Sequence, residues 1–131
     1  MFNTIKDILF HSHNNRAENL SEGHTSGYTL RMPIGPYWLS IALGEGAYCT
    51  PREVFPHPTA YEAVEVGISD DDGLLGINEI TQKFGDDVAK LCDGYGYSGA
   101  STTVLPYITW DQVIMVANAI ERNAPEAKDL V

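Results

Sequence analysis

The chain has 131 residues, of which 44% are hydrophobic and 10% aromatic, enough for one compact domain to bury a core and too apolar for a disordered chain. Eight basic residues stand against eighteen acidic ones, a net charge of −10. That balance excludes direct binding to nucleic acid or to an anionic membrane surface, since both need a basic face.

The predicted elements begin with a short helix over 3–10, where Ile5, Ile8 and Leu9 share a face between Phe2 and Phe10. Its opening residues lack the basic and long apolar regions of a secretory signal. A polar loop, "HSHNNRAENLSEGHTSG", fills 11–26 and the residue after it. Two strands follow, "GYTLRMPI" and "YWLSIALG", joined by a Gly35-Pro36 turn. In the second, Leu39, Ile41 and Leu43 form the more apolar face. An irregular connection with three prolines leads to "YEAVEVGIS". There Val64, Val66 and Ile68 alternate with Ala63, Glu65 and Gly67, which marks a half-buried strand with its glutamate side toward water. "DDDGLLG" turns the chain, with Asp72-Gly73 as the central hairpin dipeptide.

Ile77, Ile80, Phe84, Val88 and Leu91 recur at helical spacing, broken at Gly85, with Asp86 capping the second piece and Gly94 as a stop. "GYGYSGASTTVLP" reads as a loop or hairpin. Thr109-Trp-Asp-Gln112 is a capping box: hydroxyl and amide side chains satisfy free donors of a first helical turn. The helix it opens buries Trp110, Val113, Ile114, Ala117 and Ile120, and Pro125 ends it. The fold class is α+β, a small antiparallel sheet with helices packed on one face and a C-terminal helix. It is a single domain over 1–131, with the α+β core at 27–124. No apolar run approaches the ~18 residues that span a bilayer. Cys49 and Cys92 are expected as reduced core thiols.

No motif for chemistry survives inspection. In "ISDDDGLLG" a calcium loop with Gly73 at position six would set Asp70 at three, Asp72 at five and Glu79 at twelve, but Ile68 at one, where a ligand is needed. His11, His13, His24 and His57 lack the paired short spacings of a zinc site. "GYGYSGAS" has no lysine nearby to make a phosphate loop. Cys49 or Ser98 with a histidine is no signature of a nucleophile. No catalytic residue, metal or cofactor is assigned, and an enzyme is not expected.

The charge itself is the remaining signal. Residues 62–93 hold nine carboxylates against Lys83 and Lys90, a local balance of −7. Glu62, Glu65, Asp70, Asp71, Asp72, Glu79, Asp86 and Asp87 are the candidate partner-binding residues, with Tyr95 and Tyr97 as aromatic anchors. A solvated face is the plain reading of such a cluster. A folded array of carboxylates can also imitate the phosphate spacing of DNA and occupy a basic groove.

The order "GYTL…YWLSIALGEGAYC", "YEAVEVGISDDDG" and "YITWDQVIMVANAIE" resembles small bacteriophage-encoded proteins over residues 27–122. The resemblance implies a context: such proteins include anti-CRISPR and other anti-defence inhibitors that bind host machinery stoichiometrically. The expectation is a cytoplasmic inhibitor in a bacterial host, binding a protein complex with a basic nucleic-acid groove, such as a CRISPR effector. Two alternatives stay open. One is a sponge for a nucleotide signal, built from Tyr95, Tyr97 and Trp38 with Arg16, Arg31 or Arg52 near. The other is a virion assembly protein, self-associating as a homo-oligomer.

Overall fold

The computed structural model describes residues 1–14, 27–96 and 102–123. In chain order the elements are α1 (Ile5–Phe10), β1 (His13–Asn14), β2 (Gly27–Ile34), β3 (Tyr37–Gly44), β4 (Val64–Asp70), β5 (Gly73–Leu74), α2 (Ile77–Phe84), α3 (Asp86–Ala89), β6 (Leu105–Ile108) and α4 (Trp110–Asn123). The strands form one antiparallel sheet in the order β1-β2-β3-β4-β5. β6 lies beside the first half of β4, on the edge whose other half takes β5. This is the α+β fold that the periodicities predict. The loop expected over 11–26 is not wholly unpaired, because His13 and Asn14 bond to β2 opposite Arg31 and Leu30.

Register puts the apolar sets of β2, β3 and β4 on one face. Leu30 lies opposite Ile41, and Ile41 opposite Val66; Met32 lies opposite Leu39, and Leu39 opposite Ile68. All six are buried. Each such side chain stabilises the fold by roughly 1.5–3 kcal/mol relative to exposure. The other face carries Thr29, Arg31, Ser40, Ala42, Glu65, Gly67 and Ser69, all half-buried. Residues of α1, α2 and α4 complete the core on the apolar face.

The capping box at Thr109 forms as the sequence dictates: Gln112 Oε1 accepts from Thr109 N–H at 2.9 Å, and Thr109 Oγ1 accepts from Gln112 N–H at 3.2 Å. The buried stripe of α4 differs in three positions. Ile114 is half-buried, while Val116 and Ala119 are buried beside Trp110, Val113, Ala117 and Ile120. The helix lies between the sheet on one side and α1 and α2 on others, so its apolar face is wider than a single stripe.

A second box, at Thr4, opens α1. Asp7 accepts from the N–H groups of Asn3 and Thr4 at 2.8 and 3.1 Å. Those bonds hold its carboxyl below the usual carboxylate range. α1 docks on α4 through Phe2, whose N–H donates to Asn118 Oδ1 at 2.7 Å and whose carbonyl accepts from Asn118 Nδ2 at 2.8 Å.

Two local expectations shift by one residue. The hairpin loop between β4 and β5 is Asp71-Asp72, not Asp72-Gly73, because Asp70 pairs with Gly73. Asp70 accepts the N–H of Asp72 at 2.9 Å, a local turn that needs no positive φ at either aspartate, and Gly73 takes the positive φ of 114° after it. The helix break is at Gly85 (φ 94°), which occupies the cap position itself, so Asp86 is the first helical residue and not the cap. Cys49 and Cys92 are free and buried.

Candidate functional site

The eight candidate carboxylates do not form one patch. Trp38 pairs with Ser69, and the Tyr37 and Phe84 rings meet edge-to-face at 5.2 Å. The Asp71-Asp72 turn and the Phe84–Asp87 corner therefore lie toward the same end of the sheet. Glu62 and Glu65 are toward the other end; from Val64 to Asp70 alone β4 rises roughly 20 Å at ~3.3 Å per residue. A single polyanion-like track through all eight is not what the chain builds.

Within the first group, several carboxylates already have partners. Asp70 is bonded to Asp72 N–H. Glu79 accepts from Gly76 N–H at the start of α2. Asp86 takes the Tyr95 hydroxyl at 3.1 Å and lies 3.5 Å from Lys90 Nζ, an exposed pair worth ~0.3–0.5 kcal/mol. Asp71, Asp72 and Asp87 are exposed and have no such partner among the described residues. They are the free negative charges of this end. Asp86 and Asp87 also line a cleft of about 220 Å³ whose far wall is Met115, Ala119 and Arg122 of α4. Asp93 is structural: it accepts from the Thr103 hydroxyl at 2.5 Å and from Val104 N–H at 3.2 Å.

Tyr95 is half-exposed beside Asp86, and Tyr97 lies outside the described residues. Trp38 is on the face of the sheet away from the core, with the Arg31 guanidinium 4.6 Å above its ring, whereas α3, near Tyr95, packs with α2 and shares a cleft with α4. Trp38 and Tyr95 therefore do not line one pocket. The calcium alignment fails for a structural reason as well: Ile68 is fully buried in the sheet and Glu79 is committed to Gly76. Among the described residues no three His, Cys, Asp or Glu side chains are grouped to hold a metal, and no helix is long and apolar enough to cross a membrane.

The sequence reading missed a second surface at the other end. β6 is bulged. Val64 pairs with Ile108 and Val66 with Leu105, so Pro106 and Tyr107 together face Glu65 alone. Tyr107 adopts φ 53°, the one non-glycine residue with positive φ among those described. Its N–H turns away from β4 and donates to the Tyr48 carbonyl at 3.0 Å. Glu65 Oε1 in turn accepts from Tyr48 N–H at 2.9 Å. Both peptide groups of Tyr48 are thus held. The two rings stand 6.0 Å apart, half-exposed, with the Arg52 guanidinium 5.5 Å over Tyr48. Neither tyrosine sits in a periodic run, and only the bulge brings them together, so no sequence signal pointed to them.

The long connection that carries Tyr48 is held by buried rings. The Tyr61 hydroxyl donates to Glu53 O at 2.6 Å and accepts from Phe55 N–H at 2.8 Å. The Tyr28 hydroxyl donates to Phe55 O at 2.9 Å, and Trp110 Nε1 donates to Tyr61 O at 3.0 Å. Comparisons of the chain with family models, with curated proteins and with solved structures find no match.

Proposed function

We propose that the protein is a non-enzymatic inhibitor of phage or mobile-element origin. It binds a host nucleic-acid-binding complex, such as a CRISPR effector, by presenting carboxylates to that complex's basic groove. The observation that carries this reading is the free acidic end. Asp71 and Asp72 on a hairpin tip and Asp87 in the first turn of α3 are displayed on folded elements, with no salt bridge to any of them among the described residues, in a chain of net charge −10. Fixed charges of one sign on a rigid framework raise association rates with an oppositely charged groove and cost little to order on binding.

The test is an affinity capture of the tagged protein from bacterial lysate, washed at rising salt, beside a variant with Asp71→Lys and Asp72→Lys. A nucleic-acid-binding complex that elutes as the Debye length shrinks, and that the variant fails to capture, supports the reading. Equal capture by the variant would refute the assignment of the surface.

A further inference from the structure

The bulge at Tyr107 has a packing role and a surface consequence. A tyrosine at φ 53° is strained, and the extra residue lets Leu105 and Ile108, three positions apart, both point into the core beside β4. The bulge also stands a half-exposed ring next to Tyr48, whose carbonyl accepts from Tyr107 N–H and whose N–H donates to the Glu65 carboxylate. Tyrosines on an ordered backbone are favoured anchors for a protein partner, because the chain that carries them has no ordering cost left on binding.

The surroundings choose the partner's chemistry. Arg52 already lies over the Tyr48 ring, so the electron-rich face of this pair accepts a guanidinium within the chain itself. The same connection carries Glu45, Glu53 and Glu62, all exposed and none with a side-chain partner among the described residues, and Glu65 lies under Tyr48. One arginine against these four glutamates leaves the end negative. A base-stacking nucleic acid would bring its phosphates into that field and be repelled. An arginine would meet a ring face and counter-charges together.

We propose that Tyr48 and Tyr107 form a docking surface for an arginine-bearing segment of a protein partner, with a guanidinium stacked on the exposed face of Tyr107 and Glu45, Glu53 and Glu62 as its counter-charges. The surface lies toward the opposite end of the sheet from Asp71 and Asp72 and does not depend on them.

The test is a titration followed by amide ¹H–¹⁵N spectra of the full chain. The probe is an acetylated and amidated pentapeptide of alternating glycine and arginine. Controls are the same peptide with glutamate in place of arginine, and adenosine monophosphate. Saturable shifts at residues 48, 52 and 107 with the arginine peptide alone are expected. Tyr107→Asn keeps a residue that tolerates positive φ and so preserves the bulge. It should weaken the peptide about fivefold, roughly 1 kcal/mol. Glu62→Gln should weaken it by a smaller factor and reduce its dependence on salt. Shifts that do not saturate, shifts confined to residues 71, 72, 86 and 87, an undiminished response in Tyr107→Asn, or an equal response to adenosine monophosphate would each overturn the proposal. The acidic-end reading would stand or fall separately, on the capture experiment.

Discussion

Removing one oxygen from Tyr61 tests how the 45–63 connection is held. Tyr61→Phe keeps the ring, which is 2% exposed and packed at 5.4 Å against the tilted ring of Phe55, so no large cavity opens. It deletes the donor to Glu53 O and the acceptor of Phe55 N–H, bonds of 2.6 and 2.8 Å. Each is worth ~1 kcal/mol net, because in the unfolded chain water makes the same bonds. The expected loss is therefore about 2 kcal/mol. An unfolding entropy of ~2.1 cal/mol/K per residue over this length turns that into a fall in Tm of about 7 °C. Far-UV circular dichroism melts of wild type and variant at matched concentration give the number. Amide exchange at residues 53–55 should accelerate by more than exchange at residues 39–41. A fall in Tm below ~2 °C would refute the reasoning. It would mean that water replaces the hydroxyl without cost and that the connection is held by its ring contacts and its other hydrogen bonds, those of Tyr28 and Trp110 among them.

Three other outcomes are expected. Thr109→Ala removes the cap of α4 and should cost ~1 kcal/mol by urea unfolding, with the slope unchanged. Asp71→Lys with Asp72→Lys should leave stability within ~0.5 kcal/mol of wild type, since both residues are exposed and unpaired, while it abolishes partner capture. Burial, reinforced by the neighbouring Asp93 charge, pushes the Cys92 thiol up to about 11 from an ordinary 9.0. The native state then keeps a proton that the unfolded chain loses, so this contribution is whole below pH 9 and disappears as pH rises through about 11. The urea midpoint should fall across that window, less steeply in Cys92→Ala, and the native thiol should resist a disulfide reagent at pH 8.

The sheet was legible because its alternation is clean. Leu39, Ile41 and Leu43 against Val64, Val66 and Ile68 fix both the strands and the register, as a one-residue slip would turn every one of them to water. The Thr109–Gln112 box was legible because capping is local chemistry between residues three apart. The capping pair Thr4–Asp7 is the same local chemistry with aspartate where glutamate is usual, which makes its signal weaker. The acidic segment was legible as charge but not as shape. Counting carboxylates along the chain cannot show that Glu62 and Asp71 sit toward opposite ends of one strand, nor that Glu79 and Asp70 are occupied with their own backbone. The Tyr48–Tyr107 pair was invisible because it joins residues 59 positions apart through a bulge. A bulge is a fault in periodicity, and periodicity is what pattern reading uses.

The position of β6 has a kinetic consequence. β2 and β3 are joined by a two-residue turn and can zip from it, and β4 follows after the 45–63 connection. β6 returns to β4 only after an excursion of about forty residues, Val66 to Leu105. Closing a flexible loop of that length costs about 3 kcal/mol of chain entropy before any contact repays it. The β6–α4 unit is thus expected to join a hairpin scaffold that is already formed. Substitutions in it, Thr109→Ala among them, should mainly accelerate unfolding, whereas substitutions at Leu39 or Ile41 should slow folding.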